Sequence, residues 1–356
     1  MSDPAEDFAQ MWRWFSTHCR GYSPLYERIS LAVADDHSLL EAIRAAPPEA
    51  HLPPALFAAV HYLLLEGADH PLAEVYDGRS EADPGPLFLD LCRSRRDDVL
   101  AILAVRHIQT NECGRSAVIG PALTWLASHV DGPFSLIDVG ASAGLNLLCD
   151  RYFIDYGPHG ATGPADSPVR LACRVVAGDP PIADRLPAFA SRMGIDRSPI
   201  DLTDPDDARW LLACVWPDTG RLAHTEAAIS LARSDPPTVI AGDATAALGD
   251  VLAALAPGAP AVVVTTWAFA YLGSEDRSAF TALLDRQSDG RALAWVSAEA
   301  AGTVESFAGE AVPDDEQGTS DILGAILFSN GERRHHLLGY VQEHGQWIDW
   351  RAKPIL

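Results

Sequence analysis

From Phe8 to about Val130 the apolar positions fall three and four residues apart, as in Phe8, Met11, Trp12 and Phe15 and again in Leu56, Val60, Leu63 and Leu64. That spacing gathers the apolar side chains onto one stripe of a helix, so it predicts a series of amphipathic helices. Turn chemistry separates them: Pro47-Pro48, then Pro53-Pro54 at a helix start, then Asp83-Pro84-Gly85-Pro86. Further helices are expected over Pro86 to Leu91, Asp97 to Val105 and Gly114 to Ser128, ending at the linker-like Asp131-Gly132-Pro133. A helical domain over residues 1–132 follows, with a second domain over 133–356.

Beyond that linker the pattern changes to short apolar runs separated by helices. The candidate strands are Ser135 to Val139, Val169 to Val176, Thr238 to Ala241, Ala261 to Thr265, Ala292 to Ser297, Ile322 to Phe328 and Leu337 to Val341. Strands alternating with helices predict a mostly parallel sheet covered on both faces. The last two, joined by Ser329-Asn330-Gly331-Glu332, predict an antiparallel hairpin. The fold class is α/β, a Rossmann-like sheet with an antiparallel C-terminal hairpin behind an N-terminal helical cap. In layout it resembles the class I S-adenosylmethionine (SAM) methyltransferase sheet, with an insertion at about residues 152–187.

Charge and composition narrow the partners. The net charge of −23 is spread along the chain, whereas duplex nucleic acid and anionic membranes call for a basic footprint. No stretch reaches the roughly 18 consecutive apolar residues of a membrane helix, and residues 1–10 lack a basic, apolar leader pattern. The expectation is a cytoplasmic protein acting on a small molecule, with no nucleic acid and no membrane; a protein partner or homo-oligomer is left open. Six scattered cysteines show no C-x-x-C and no paired cysteine–histidine spacing, so free thiols and no metal are expected.

The most informative stretch is Asp138-Val-Gly-Ala-Ser-Ala-Gly144, continued by Leu145-Asn146-Leu147-Leu148. An apolar strand ends in an acid, passes through small residues and enters an apolar segment expected to be helical. Small residues let the backbone approach a ligand, and a helix N-terminus offers N–H groups to an anion. In this reading Asp138 orients the loop and the methionine end of SAM. Gly140, Ser142 and Gly144 permit close approach, and Asn146 opens the following segment. The same letters satisfy G-x-S-x-G, the nucleophile elbow of serine hydrolases, with Ser142 as nucleophile. Against that, the strand is the first of its sheet and no His-Gly-Gly loop precedes it. Asp196 ends a second strand and is the expected acceptor for ribose hydroxyls, and Asp243 ends another, near the adenine.

The segments Gln109-Thr-Asn-Glu-Cys-Gly-Arg115, Asp138 to Leu147, Gly194-Ile-Asp196, Asp204-Pro-Asp-Asp207, Val215-Trp-Pro217, Gly242-Asp243, Ala270-Tyr-Leu272 and His344-Gly-Gln-Trp347 together resemble DUF2332. That bacterial family is of unknown function, similar in its sheet to SAM-dependent methyltransferases, and the resemblance runs from about residue 8 to the C-terminus. It implies a histidine after the fourth strand where this chain has Thr265. Its loss would turn the site toward chemistry such as ring closure or elimination.

Asn111, Glu112 and Arg115 lie between apolar helices, where burying them without partners is costly. They are candidates for a substrate-binding carboxylate or base and an arginine fork, or for an internal Glu112–Arg115 pair. Thr265, Thr266 and Trp267 fall where ligands meet open α/β sheets and are expected to wall the substrate pocket, with Tyr271 supplying a polar tip near the chemistry. His344 to Trp347 reads as a structural turn. The expected function is a small-molecule SAM-dependent methyltransferase. The alternatives are a repurposed fold doing intramolecular displacement, cyclisation or elimination, a serine hydrolase using Ser142, or a non-catalytic binding protein.

Overall fold

The computed structural model describes residues 4–313, 320–329 and 331–355. In chain order the helices are α1 (Pro4–Cys19), α2 (Pro24–Ala34), α3 (His37–Arg44), α4 (Pro53–Leu65), α5 (Leu72–Tyr76), α6 (Pro84–Ser94), α7 (Arg96–Val105), α8 (Ser116–Leu126), α9 (Pro205–Ala213), α10 (Leu222–Ser234), α11 (Ala244–Ala254) and α12 (Ser274–Gln287). The strands are β1 (Phe134–Val139), β2 (Phe153–Asp155), β3 (Ala161–Thr162), β4 (Arg170–Ala172), β5 (Arg174–Ala177), β6 (Phe189–Asp196), β7 (Val239–Ala241), β8 (Ala261–Thr266), β9 (Leu293–Glu299), β10 (Ser320–Ser329), β11 (Glu332–Gln342) and β12 (Trp347–Ile355).

The chain forms two compact units, one of residues 1–110 with 203–226, the other of 111–202 with 227–356. The division expected near residue 132 therefore falls elsewhere. α8 is apolar on most of its faces, with Ala117, Val118, Ile119, Ala122 and Leu123 buried, and it packs beside β9 in the sheet unit. Conversely α9 joins the helices by packing along α4.

The helical unit is built on aromatic side chains at helical spacing. Tyr26 stacks on Phe57 with ring centroids 4.0 Å apart, and Trp216 meets Tyr26 edge-on at 5.1 Å. Ser23 caps α2, and Asp218 fixes that cap by accepting from Ser23 Oγ at 2.7 Å and Leu25 N at 3.0 Å. Buried His61 meets the Ala213 carbonyl at 3.2 Å, tying α4 to α9.

The second unit carries a nine-stranded sheet in the order β5-β12-β11-β10-β9-β8-β1-β6-β7 and a small sheet β3-β2-β4. β7, β6, β1, β8 and β9 are parallel. Here β1, β8 and β9 are buried along their whole length, which matches their continuous apolar runs. The expected C-terminal hairpin is β10–β11, closing with Ser329 opposite Glu332; Asn330 lies outside the described residues. It is not the end of the sheet, because β12 adds a third antiparallel strand and β5 pairs with β12 in parallel. The expected strand Val169 to Val176 is two strands, β4 in the small sheet and β5 on the large one. These, with β2 and β3, occupy the insertion expected between β1 and β6.

Candidate functional site

β1 is the hinge of the sheet order. Asp138 pairs with Gly194 of β6 on one side and Val264 of β8 on the other, so successive strands depart from β1 in opposite directions. Crevices outside the C-terminal ends of strands at such a reversal are where open α/β sheets take ligands.

The loop after β1 is tightly wound, with Gly140, Ser142 and Gly144 at φ +86°, +52° and +77°. Its N–H groups are turned into the protein. Gly140 and Ala141 donate to the Ile195 carbonyl at 2.8 and 3.1 Å. Ser142 donates to Asp196 Oδ2 at 2.8 Å, and Leu145 to Asn111 Oδ1 at 2.8 Å.

Two expectations need correction here. The segment after the loop is not an α-helix but a seven-residue 3-10 stretch, Leu145–Arg151, with a break at Leu148. Its first N–H goes to Asn111 and its first carbonyl accepts from Tyr152 Oη at 2.6 Å, so no helix N-terminus is offered to an anion. The glycines also serve the fold's own packing. A Cβ on Gly140 would overlap Ala268 Cβ, and one on Gly144 would lie 2.8 Å from Pro237 and 3.0 Å from Val239.

Asp196 stands at the end of β6, its Oδ2 on Ser142 N–H and its Oδ1 accepting from Ser198 N at 2.8 Å. It is thus the clamp of the glycine loop. Asp243 is exposed and caps α11, accepting from the N–H groups of Thr245 and Ala246 at 3.0 and 3.2 Å.

The Asn111–Arg115 run lies beside this loop. Besides Asn111, Asn146 contributes by accepting from Ser116 Oγ at 3.0 Å. Glu112 turns its Oε1 back on Gly114 N at 2.9 Å. Arg115 donates to the carbonyls of Thr266 at 3.1 Å and Glu343 at 3.3 Å, and its guanidinium lies 4.7 Å over the Trp267 ring.

At the end of β8, Thr265 Oγ1 accepts from Trp295 Nε1 at 3.0 Å inside the core, so its side chain does not line a pocket as expected. Thr266 contributes its carbonyl to Arg115. Trp267 does stand at the site, and at φ +54° it occupies a backbone region that a bulky side chain rarely adopts. Its Nε1 donates to Asp321 Oδ2 at 2.7 Å. Tyr271 is 88 % exposed and so supplies no pocket wall. Two acids that sequence reasoning missed complete the arrangement. Glu299, the last residue of β9, accepts from the N–H groups of Ala268 and Phe269 at 3.1 and 2.9 Å, and Asp321 opens β10 beside it.

Electrostatically the end of the sheet is acid-rich and dry. Burial pushes the Asp138 carboxyl up to about 7, against the pull of Arg115 and with the push of Asp196. Burial likewise lifts Asp321 to about 7, against its bond from Trp267, and raises Glu299 against its backbone N–H donors. Arg115 is lowered by burial and held up by Glu112, Glu343, Glu299 and Asp138. Three buried oxygens, Asp138 Oδ2, Ser142 Oγ and Glu299 Oε2, have no hydrogen-bond partner among the described residues.

Residues 9–350 match a family described as "Uncharacterized protein conserved in bacteria (DUF2332)". The chain belongs to DUF2332. No curated protein matches it. In this DUF2332 chain several of the segments that carry the resemblance converge on the site. Asn111 reaches Leu145, Ser142 reaches Asp196, and Gly114 sits so close to the His344 and Gly345 backbone that neither glycine has room for a Cβ. Asp204 and Trp216 instead serve the helical unit, as the cap of α9 and as an aromatic in its core.

Proposed function

We propose that this protein is a small-molecule SAM-dependent methyltransferase whose cofactor lies against the ends of β1 and β6. The observation that carries this reading is Asp138, buried at 3 % exposure with an unpartnered Oδ2, at the strand where the sheet order reverses. Numbered by their appearance, the five parallel strands run 3-2-1-4-5, as in Rossmann-like sheets that hold nucleosides.

The residues fit the group. A sulfonium and an ammonium suit a dry surface rich in carboxylates, and Asp138 Oδ2 is an acceptor waiting for a donor. Asp196, at the end of β6, stands where an acid takes ribose hydroxyls in such sheets. Arg115 would take the cofactor's carboxylate, since the loop N–H groups donate inward. When bound, SAM supplies an electrophilic methyl group for in-line displacement. The protein's share is to orient the acceptor, exclude water and accept a proton, for which carboxyls raised toward neutrality are suited.

Incubation with methyl-labelled SAM and a panel of small acceptors tests this by mass spectrometry. The account expects a product heavier by one methyl; acceptors that stay unlabelled while SAM stays intact would contradict it. A second reading, displacement or cyclisation with no methyl transfer, is favoured by one observation: Thr265, fastened to Trp295, gives no base at the end of β8. Turnover of a small molecule to a product with no added methyl, SAM staying intact, would select it. Among the described residues no imidazole is bonded to Ser142 Oγ, which speaks against the hydrolase reading. Six buried thiols with no disulfide among them suit a cytoplasmic setting.

A further inference from the structure

Asp138, Glu299 and Asp321 lie on three different strands, and all three act on the same guanidinium, Arg115. Buried charges without close counter-charges are destabilising, so burial of this kind calls for a partner. Arg115 is an incomplete one. Its guanidinium donates to the carbonyls of Thr266 and Glu343, and its flat face lies on Trp267. Asp138 Oδ2 and Glu299 Oε2 are left buried with no donor among the described residues.

We propose that Glu299 and Asp321, at the adjoining ends of β9 and β10, form a receptor for a cationic amine, the ammonium group of the acceptor substrate, beside the cofactor's place at Asp138. The inference rests on the proposed function only in taking this end of the sheet as the substrate's place. An ammonium brings both things the site lacks, N–H donors for orphaned oxygens and positive charge for buried carboxylates. Placed against Glu299 and Asp321, a carboxylate or phosphate group would meet repulsion. A neutral alcohol could bond one oxygen and would leave the charge uncompensated.

Trp267 strengthens the case. A tryptophan held in the left-handed backbone region is strained, and such strain persists where the surroundings over-determine it. Here the indole is fixed by Asp321 at its Nε1 and by Arg115 across its ring, which sets Asp321 Oδ2 in place beside Glu299. Phe269 and Ala268, just after it, bind Glu299 Oε1 through their N–H groups and so aim the other oxygen away from the backbone.

Saturation-transfer NMR titrations with n-butylamine, n-butanol and butyrate test the proposal on the full chain. Butylammonium should bind at least roughly tenfold more tightly than butanol, the scale of one charged hydrogen bond, and butyrate should not bind. E299Q keeps an oxygen for the Ala268 and Phe269 N–H groups, and D321N keeps one for Trp267. Each should weaken the amine by roughly tenfold or more and leave butanol unchanged. Should E299Q fail to fold, D321N carries the same comparison.

Amine binding no tighter than that of butanol, or equal binding by the folded variants, would overturn the inference. So would competition between butylamine and S-adenosylhomocysteine, which would assign these acids to the cofactor's own amine. Amine binding that depends on the acids, in a protein that ignores S-adenosylhomocysteine, would keep this inference and remove the cofactor reading. Cofactor binding with no amine preference would do the reverse.

Discussion

Replacing Asp138 by asparagine should remove a loss of stability that the wild type suffers as pH rises toward about 7, while impairing its site. The carboxyl is raised from its ordinary 3.8 to about 7 by burial. Between those values the folded chain keeps a proton that the unfolded chain has released, so each rise in pH favours unfolding. The loss of stability begins at about pH 4, ends at about pH 7 and is flat above. Over the two units or so from about pH 5 to the folded value, at roughly 1.4 kcal/mol per unit, Asp138 removes on the order of 3 kcal/mol. D138N cannot ionise and loses that slope. Its own cost, a buried amide whose N–H groups need acceptors, is independent of pH and cancels in the comparison. Urea melts of both proteins at about pH 5 and about pH 8 give the double difference. Asp321 and Glu299 titrate in both proteins and cancel as well. A difference near zero would show that Asp138 is hydrated or already paired, and the dry site would fall with it.

Two further outcomes follow from the same geometry. Gly140→Ala would place a Cβ on Ala268 in a left-handed backbone position, so it should cost about 2–3 kcal/mol and lower the melting temperature seen by circular dichroism; an unchanged melt would mean the loop after β8 does not press on the glycine loop. The six cysteines are buried, with burial lifting Cys19, Cys173 and Cys214 to about 12. Native protein should react with a thiol reagent far more slowly than unfolded protein, and fast labelling of any of them would contradict that burial.

β1 and its loop are legible because a continuous apolar run ends in an acid and small residues, a pattern few other structures produce. The strands β8, β9 and β10 are legible for the same apolar continuity. β12 was hidden by Arg351, Lys353 and Pro354, side chains at home near the rim of a sheet but foreign to an alternating pattern. Cys173 lies between Leu171-Ala172 and Arg174-Val175-Val176 with no glycine or proline, so no turn signal separates β4 from β5; their partners in two different sheets do. The apolar Leu145-Asn-Leu-Leu letters suggest a helix, but Asn111 and Tyr152 take its terminal groups from afar. The site follows the same rule. Asp138 and Asp196 are visible at strand ends beside glycines, whereas Glu299 and Asp321 carry no motif and become neighbours only through the pairing of β9 with β10. Thr265 and Tyr271 lie on the expected segment but point elsewhere, one into the core and one into solvent.

The most direct test of the account is a calorimetric titration of S-adenosylhomocysteine into wild type and D138N. Wild type should bind it saturably, and D138N, shown folded by circular dichroism, should bind it roughly tenfold or more weakly, because one charged acceptor is gone. Weaker binding by a variant that keeps its fold is loss of the contact itself. Absence of binding to wild type at millimolar concentration, or equal binding by both proteins, would contradict the placement of a SAM-type cofactor at Asp138.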